Sequence, residues 1–354
     1  MARPQSEQIG KITLTAVASQ AGVSVGTASM ALAGDPRLSP ETAQHVQAVA
    51  QRLGYVPLRR RTSKAGRNAA PLITAEQSLI AMIGLDIDYG RFPVYARLLQ
   101  IVGEAASQRK HRLISPVVRT HEEAQRIVEE SGAAGALLLW QDPHEGRIDV
   151  AALQKKLPCV RVMGTSAPGS TVDHVTFDNR RVGELAAEYL WKRGHRVAVV
   201  VHYDQWLGTM FLNRSRAFVE RFEHLGGKAT VFKFRGNIQA QEVATAIAGL
   251  EPRPTGIFAN DDGVLSQFDL LLRHVGMVHG QNIEMIGCNN ETHRLDEISP
   301  RPASIDLQLT TLVEQAFELM YWRQNNRGTP RMQVMVEPKL AAAIGSHTPL
   351  TAGI

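Results

Sequence analysis

Residues Ile12–Leu58 read ITLTAVASQAGVSVGTASMALAGDPRLSPETAQHVQAVAQRLGYVPL and begin with two short predicted helices. The first helix runs from Leu14 to Gln20, behind Thr13, whose hydroxyl suits an N-cap. Gly22 supplies the positive φ that ends a helix, and the second helix covers Val25–Ala33. Two small helices joined by a glycine-bearing turn are typical of a helix-turn-helix, whose second helix enters the major groove of DNA.

A third helix is predicted from Pro40 to Gly54, because Ser39 is a favourable N-cap and proline is favoured at the first helical position. Its apolar residues recur at helical spacing and form one buried face. A generic three-helix bundle without a DNA role is the alternative interpretation. The apolar residues of this face are Val46, Val49, Ala50 and Leu53.

Positive charge is concentrated in the same part of the chain. Residues 1–70 contain nine Lys and Arg but only three Asp and Glu, whereas the remainder contains 30 basic and 31 acidic residues. The net charge of +5 therefore comes entirely from the amino-terminal part. A basic head on a near-neutral body is expected of a protein that binds nucleic-acid phosphates.

This segment resembles the DNA-binding head of the LacI family, the lactose- and purine-repressor family of bacterial transcription regulators. The residues that match without a gap are Thr13-Leu14, Val17-Ala18, Ala21-Gly22-Val23-Ser24, Thr27, Ser29, Ser39, Thr42, Val46, Leu53, Gly54-Tyr55 and Pro57. The resemblance implies that the chain binds double-stranded operator DNA. The predicted DNA-contacting residues are Thr13, Leu14, Thr15, Ser24, Val25, Gly26, Thr27, Ser29, Met30, Arg37, Ser39, Thr42, Tyr55, Arg59, Arg60, Arg61 and Lys64.

The predicted recognition helix departs from the family pattern. Val25, Gly26 and Met30 stand where relatives usually carry large or polar base-reading side chains. Direct readout of bases uses bidentate donors such as Arg and Asn, and this helix has none. We therefore expect phosphate contacts and DNA shape, with apolar contact to thymine methyl groups, to carry more of the specificity.

The basic connector that follows, residues 59–78, departs from the family as well. It is longer than the family norm, and Lys64 stands about where relatives place a leucine that wedges into the minor groove. Two interpretations stay open. One is an arginine-rich arm in the minor groove, since narrow grooves attract Arg and Lys; the other is a flexible charged linker.

From Leu79 to residue 341, apolar runs alternate with helical stretches. This alternation predicts an α/β fold with parallel sheets that helices cover on both faces. The length suits two lobes, each with its own core. Ligands of such folds bind at the carboxyl ends of the strands.

The body resembles the effector domain of the same family. The matching segments are DNRRVGELAAEYLWKRGHRVAVV (Asp178–Val200), FANDDGVLSQFDLLLRHVG (Phe258–Gly276), MIGCNN (Met285–Asn290) and VEPKL (Val336–Leu340). The resemblance implies a bilobal, periplasmic-binding-protein-like body of two parallel-sheet, Rossmann-like lobes behind the all-α head.

The chain should cross between these lobes near residues 179, 305 and 329. Helices Tyr95–Arg109 and Leu307–Arg323 are candidate dimer surfaces, unless their apolar faces are internal. The predicted domains are a head at 11–58, a hinge or linker at 59–78 and a body at 79–341, with lobe 1 at about 79–179 and 306–328 and lobe 2 at about 180–305 and 329–341.

Effector contacts follow from the resemblance residue by residue. Arg214 stands where the family places an arginine that grips the effector, although an exposed arginine at a helix start is the alternative. Asn289 replaces a frequent aspartate. Asp261 has the alternative role of a helix cap, and Trp140 and Trp206 that of core residues. The predicted effector-binding residues are Asp86, Asp88, Tyr89, Phe92, Trp140, Trp206, Arg214, Asn260, Asp261 and Asn289.

No residue pattern indicates an enzyme, a cofactor or a metal site. The sequence lacks the G-x-G-x-x-G, GxxxxGK[ST] and HExxH motifs, and its twelve histidines are scattered. Cys159 and Cys288 fit small core residues, and two reduced thiols are typical of a cytosolic protein. No apolar amino-terminal run indicates secretion or a membrane span, so we expect a cytoplasmic protein.

The sequence as a whole predicts an effector-responsive transcription regulator. We expect a repressor that acts as a homodimer, or a tetramer, on a pseudo-palindromic operator, with a sugar or related metabolite bound between the lobes. An exported solute-binding receptor would share the body but not the basic head. An α/β enzyme is the third class, for which no nucleophile and base stand out.

Overall fold

The structure, a computed structural model, describes residues 13–32, 35, 38–53, 78–90, 92–140, 146–165, 169–204 and 208–343. The chain divides into two compact units, residues 1–68 and 69–354. The first unit contains the predicted head, and the second contains the predicted α/β body.

The first unit folds as three helices whose ends follow from their capping residues. They are α1 (Leu14–Gln20), α2 (Val25–Leu32) and α3 (Pro40–Arg52). The Thr13 hydroxyl accepts a hydrogen bond from the first turn of α1, and Gly22 takes a φ of +66° after it. The core of the unit consists of Val17, Ala18, Ala21, Ala28, Ala31, Val46, Val49 and Ala50.

The second unit alternates strands with helices. Its strands are β1 (Leu79–Leu85), β2 (Arg112–Ile114), β3 (Val117–Val118), β4 (Gly135–Trp140), β5 (Cys159–Val162), β6 (Asp173–Phe177), β7 (Val197–Tyr203), β8 (Lys228–Phe234), β9 (Gly256–Ala259), β10 (Glu284–Cys288), β11 (Ala303–Asp306), β12 (Gln333–Val336) and β13 (Lys339–Ala341). Its helices are α4 (Pro93–Gln108), α5 (His121–Ser131), α6 (Val150–Gln154), α7 (Asn179–Lys192), α8 (Gly208–His224), α9 (Gly236–Ala248), α10 (Asp262–His274), α11 (Thr292–Leu295) and α12 (Leu309–Asn325).

These strands form two sheets, which define lobe 1 and lobe 2. The lobe 1 sheet has the order β12-β6-β5-β4-β1-β2, with β3 also paired to β1, and its pairs are parallel. The lobe 2 sheet has the order β13-β11-β10-β9-β7-β8 and is parallel except for the pair β11–β13. Strands β4, β5, β9 and β10 are buried along their whole length, as expected of sheets covered on both faces. The predicted fold class is confirmed.

The chain passes between the lobes after β6, after β11 and after β12. The last of these crossings corrects the predicted boundary near residue 329, because β12 pairs with β6 and only β13 belongs to lobe 2. The reason lies in Arg323, at the end of α12. Its buried guanidinium binds the Asp173 carboxylate at the start of β6 and donates hydrogen bonds to the carbonyl oxygens of Thr329 and Pro330. The chain therefore turns back along the edge of the lobe 1 sheet before it leaves.

The apolar faces of α4 and α12 are internal. Leu98 and Val102 of α4 share one core with Leu312 and Phe317 of α12 and with the strands of lobe 1. Helix α12 packs against α4, β5 and β6. Of the two interpretations given for these helices, the internal one is correct, and neither apolar face is available as a dimer surface.

Helices α7 and α8 approach each other closely at Gly183. A Cβ at this position would lie 2.1 Å from the carbonyl oxygen of Arg214 and 2.7 Å from the backbone nitrogen of Phe218. Backbone atoms cannot give way as a flexible side chain can, so only glycine permits this packing. The close approach sets where α8 holds Arg214 relative to the start of α7.

A buried polar network joins α7 to the amino end of β10. The Glu284 carboxylate lies 2.9 Å from Nε2 of His195, accepts a hydrogen bond of 2.5 Å from the Tyr189 hydroxyl and forms an ion pair with Arg193. Burial acts to raise the pKa of Glu284, but the three partners outweigh it and lower the pKa to about 2. The network stabilises lobe 2 at the edge opposite the carboxyl ends of its strands.

We expect Glu284→Gln to lower the free energy of unfolding by about 3 kcal/mol, because it leaves a partly buried Arg193 without its charge partner. The pKa of Glu284 in the folded protein lies below its ordinary value of 4.5, so this contribution is complete above pH 4.5 and is lost as the pH falls towards 2. Urea denaturation of both proteins at several pH values measures the difference. Glu242→Gln, at an exposed position of α9, is the matched control. A difference that stayed constant below pH 4.5 would contradict the assignment.

Candidate functional site

A cavity of about 280 Å³ lies between the two lobes, at the carboxyl ends of several strands. Lobe 1 contributes mainly apolar side chains to its wall, and lobe 2 contributes most of the charged and amide groups. The carboxyl edge is where open parallel sheets bind ligands. The lining residues are Phe92, Pro93, Val94, Tyr95, Met163, Tyr203, Met210, Phe211, Arg214, Asp261, Gly263, Val264, Gln267, Asn289, Glu291, Arg294 and Leu307.

Arg214 is buried at the wall of this cavity, which rules out an exposed arginine at a helix start. Its Nε donates to Oδ1 of Asn179 at 2.9 Å, and its Nη1 donates to the carbonyl oxygen of Asn260 at 2.7 Å. The rings of Phe177 and Phe211 lie 5.5 and 5.6 Å from the guanidinium carbon. Nη2 makes no hydrogen bond to another described residue, so it is the group that a molecule in the cavity can engage.

Asn260, which was predicted to contact the effector, is not among the residues of the cavity wall, and its carbonyl oxygen positions Arg214. Its side-chain amide donates to the carbonyl oxygen of Phe211 at 3.1 Å and to the Ser215 hydroxyl at 2.9 Å. Nδ1 of His202 lies 2.7 Å from the same hydroxyl. Burial lowers the pKa of His202 to about 4, so this imidazole is neutral near neutral pH.

Asp261 and Glu291 bring two carboxyl groups to the lobe 2 wall. Asp261 also caps α10, because its Oδ1 accepts a hydrogen bond of 2.8 Å from the Val264 N–H. Burial raises the pKa of Asp261, and burial together with the charge of Asp261 raises the pKa of Glu291. Nε of Arg294 donates to Glu291 at 2.9 Å. With Arg214, the wall therefore carries two acids and two cations.

Asn289 enters the cavity wall from a strained backbone at the end of β10. Its φ is +102°, a region that residues other than glycine rarely adopt. Its Nδ2 donates to Oε1 of Glu291 at 3.2 Å. The buried Asp262 carboxylate holds this turn, since it accepts hydrogen bonds from the Glu291 N–H at 2.7 Å and the Ser304 hydroxyl at 2.9 Å. Burial raises the pKa of Asp262 well above its ordinary value.

In lobe 1, Phe92 lines the cavity, whereas Asp86, Asp88 and Tyr89 are not among the residues of its wall. Asp86 forms an ion pair of 2.5 Å with Arg147. Asp88 accepts a hydrogen bond within its own turn, and the Tyr89 hydroxyl lies 3.4 Å from that of a serine before β3. These contacts hold the three side chains within lobe 1.

Trp140 is a core residue, so the second of its two interpretations is the correct one. Its side chain is 3% exposed and belongs to the core beneath α5 and α6. The guanidinium of the buried Arg161 covers its ring at 4.5 Å from the centroid. Trp140 ends a central strand of the lobe 1 sheet and is not among the residues of the cavity wall.

Several cavity residues were not predicted. Tyr203 ends β7 and Leu307 follows β11, so the rule that strand ends bind ligands could have found both. Gln267 follows Gly263 by four residues on α10, a spacing that places both on one face of the helix. No sequence signal marks Phe211, because its position depends on the packing of α8 against α7.

In the head, α2 presents the residues predicted to read bases. Val25 is 45% exposed, Gly26 is exposed and Met30 is partly exposed. Ser24 caps α2, accepting a hydrogen bond of 3.0 Å from the Thr27 N–H, and the two hydroxyls lie 2.8 Å apart. The outward surface of this helix is therefore apolar at its start.

The other residues predicted to contact DNA differ in whether their side chains form contacts within the head. Thr13 and Ser39 cap α1 and α3, and the Thr42 hydroxyl lies 2.9 Å from that of Ser39. The hydroxyls of Thr15 and Ser29 bond to no other described residue. Leu14 is partly buried and packs on the core of the head. Predicted contacts that lie outside the described residues are Arg37, Tyr55, Arg59, Arg60, Arg61, Lys64 and Trp206, together with most of the connector.

Two regions of the chain match known families. Residues 13–57 match the bacterial regulatory proteins of the lacI family, and residues 187–342 match the periplasmic binding protein-like domain. The HTH-type transcriptional regulator GntR of Pseudomonas aeruginosa is 31% identical over 310 residues, which cover 79% of this chain and 80% of that protein. This chain belongs to the LacI family.

Further proteins are similar to this chain over most of its length, one in sequence and one in fold. The maltose regulon regulatory protein MalI of Escherichia coli (strain K12) is 28% identical over 288 residues, 80% of this chain and 72% of that protein. The solved structure of a transcriptional regulator CelR–cellobiose complex has a TM-score of 0.61 at 21% identity and covers 95% of this chain and all of that one. The protein is a DNA-binding transcription regulator with a periplasmic-binding-protein-like body.

Other classes of site receive no support within the described residues. No helix there is long and apolar enough to cross a bilayer, and no three His, Cys, Asp or Glu side chains are grouped to hold a metal ion. Cys159 and Cys288 are unpaired and buried, and burial raises the pKa of each thiol to about 12.

We expect Arg214→Met to lower the free energy of unfolding by about 2 kcal/mol, because Oδ1 of Asn179 and the carbonyl of Asn260 lose their donor. Urea denaturation at neutral pH measures the change. Arg253→Met removes an exposed arginine of lobe 2 and should change stability by less than about 0.5 kcal/mol. Equal stabilities for the two variants would show that Arg214 does not hold this part of the cavity wall.

Proposed function

We propose that this regulator is a repressor whose DNA affinity depends on a small molecule bound in the cavity between its lobes. The proposal rests on one observation, that both lobes contribute to the wall of a single cavity. A molecule that contacts both lobes favours the arrangement of lobes in which all its contacts are made. An equilibrium between lobe arrangements is therefore biased by ligand.

The chemistry of the wall favours a neutral, polyhydroxylated molecule such as a sugar. Two acids balance two cations, so no net charge on the ligand is required. Nη2 of Arg214 and the side chains of Asn289 and Gln267 offer donors and acceptors for hydroxyls. The rings of Phe92 and Tyr203 offer apolar faces for the C–H surface of a sugar ring. The structural relative CelR, described in complex with cellobiose, supports the same class of ligand.

A polar contact across the lobes supports a mechanism based on their relative angle. Nη1 of Arg97, on α4, donates to the carbonyl oxygen of Asn290 in lobe 2 at 2.9 Å. This contact joins α4 of lobe 1 to the turn after β10 of lobe 2 and would break if the lobes opened. Ligand couples to DNA only through its differential affinity for the two arrangements, typically about 1–3 kcal/mol.

We propose further that the protein acts as a homodimer on a pseudo-palindromic operator, since a twofold protein presents equivalent heads to equivalent half-sites. Two exposed apolar residues on the neighbouring helices α9 and α10 of lobe 2 support this. Ile238 of α9 is 80% exposed and Leu270 of α10 is 62% exposed. A hydrogen bond of 3.1 Å from Gln267 to Asn237 joins the two helices beside them.

The decisive experiment combines site selection with a ligand screen. Duplex sites selected from random DNA serve as probes, and mono- and disaccharides are then tested for a change in DNA affinity by fluorescence anisotropy. We expect at least one sugar to change the affinity by roughly fivefold or more. If no sugar changes the affinity or stabilises the protein against heat, the proposed effector class is wrong.

We expect Val25→Glu to weaken DNA binding by about tenfold or more, because it places a negative charge on the exposed start of α2, next to DNA phosphates. Folding should not suffer, since an acidic residue in the first turn of a helix is favourable. Fluorescence anisotropy with a selected site measures binding. Ala48→Glu makes the same charge change on the exposed side of α3 and is the control. Equal losses in both variants would mean that total charge, not the α2 surface, governs binding.

Selected sites should show thymine preference opposite Val25 and Met30 and no strong guanine preference there. Apolar side chains contact the thymine methyl group, whereas guanine is read by bidentate donors that α2 lacks. Sequencing of the selected pool gives the preference at each position. Strong guanine selection opposite Met30 would contradict this reading of the recognition helix.

A further inference from the structure

A second cavity, of about 330 Å³, lies where the chain passes from lobe 1 to lobe 2. Its wall includes Thr165 and Thr176 from lobe 1 and Asn179 from the start of α7. Asn213 and Arg216 of α8 also line it, as do Asp178, Arg180 and Gln333. Residues three apart share a face of a helix, so α8 turns these two side chains to the second cavity while Arg214 between them faces the first.

The amide of Asn179 connects the two cavities. Its Oδ1 accepts the hydrogen bond from Nε of Arg214. Its Nδ2 makes no hydrogen bond to another described residue, although Asn179 is only 7% exposed and lines the second cavity. An amide donor that opens on the cavity and has no partner in the protein can bind an acceptor from outside.

Two further donor groups face the same space. Arg216 is exposed and Asn213 is half-buried, and neither side chain forms a hydrogen bond or ion pair with another described residue. The neighbouring Arg180 differs, because Glu220 at 2.8 Å and Glu184 at 3.1 Å balance its charge.

The acid in the wall is already engaged. The Asp178 carboxylate accepts hydrogen bonds from the backbone N–H groups of Arg180 and Arg181, at 2.9 and 3.0 Å, as the N-cap of α7. The groups that have no partner in the protein are therefore donors, and one of them carries a positive charge. A guanidinium with neighbouring amide donors suits the planar or tetrahedral oxygens of a carboxylate or a phosphate.

We propose that this second cavity binds the carboxylate or phosphate group of a small molecule, held by Arg216, Asn213 and Nδ2 of Asn179. A ligand that accepts a hydrogen bond from Nδ2 fixes the orientation of the Asn179 amide. Oδ1 of the same amide orients Arg214. Under the proposed function, on which this last step rests, an anion at the second cavity would adjust the affinity of the first cavity for its ligand.

Inorganic phosphate and acetate serve as separate probes in calorimetric titrations of the full-length protein. We expect saturable binding of at least one of them, and the stronger of the two identifies the class of oxyanion. Arg216→Gln should weaken this binding by about tenfold or more, whereas Arg253→Gln, which removes an exposed arginine elsewhere in lobe 2, should leave it unchanged. No saturable binding to the wild-type protein, or equal losses in the two variants, would overturn the proposal.

Asn179→Asp tests the amide itself. An aspartate keeps an oxygen for Nε of Arg214 but replaces the Nδ2 donor with a negative charge, so it should abolish anion binding while the protein stays folded. An acidic residue at the first position of α7 is favourable there. Undiminished anion binding to this folded variant would show that Asn179 does not form the site. These titrations use neither DNA nor sugar, so their failure is separate from any failure of the proposed function.

Discussion

A buried guanidinium organises the cavity wall of lobe 2. Arg214 loses its hydration in the folded protein, and such a loss is tolerable only where hydrogen bonds replace the water. Asn179, at the start of α7, and Asn260, after β9, supply two acceptors. Both acceptors are neutral, so they satisfy the donors of Arg214 and leave its positive charge to act on the cavity.

The geometry of this arrangement depends on backbone packing as much as on polar groups. Gly183 allows α8 to approach α7 closely enough for the guanidinium to reach the Asn179 amide. Asn260 is fixed in turn by the Ser215 hydroxyl and the Phe211 carbonyl, which belong to the same helix α8. These contacts form one connected set at the α7–α8 pair. The set joins Arg214 to Asn179 and Asn260, and Asn260 back to α8.

Features with local causes could be predicted from the sequence, whereas features with distant causes could not. The caps at Thr13 and Ser39 depend on neighbouring residues, and the sequence located them correctly. The pairing of β12 with β6 depends on Arg323 and Asp173, which are 150 residues apart, and no local pattern announces such a contact. The crossing was misplaced for this reason.

The same distinction between local and distant causes applies to the residues of the candidate site. Arg214 and Asn289 could be placed at the cavity because the resemblance puts each at a position where the family carries an effector contact. The side-chain positions in the loop after β1 could not be predicted in this way. Asp86 forms an ion pair with Arg147, which is distant in sequence, and only the folded structure shows this contact. Trp140 was ambiguous because an aromatic residue at a strand end fits either a binding surface or a core.

The two buried cysteines have a practical consequence for observing motion of the lobes. A thiol whose pKa is about 12 is almost entirely protonated at neutral pH, and protonated thiols react poorly with alkylating or spin-label reagents. Cys159 belongs to lobe 1 and Cys288 to lobe 2, and neither is exposed. A pair of new surface cysteines, one in each lobe, would therefore be labelled selectively in the otherwise native protein, and the distance between the labels would report lobe closure directly.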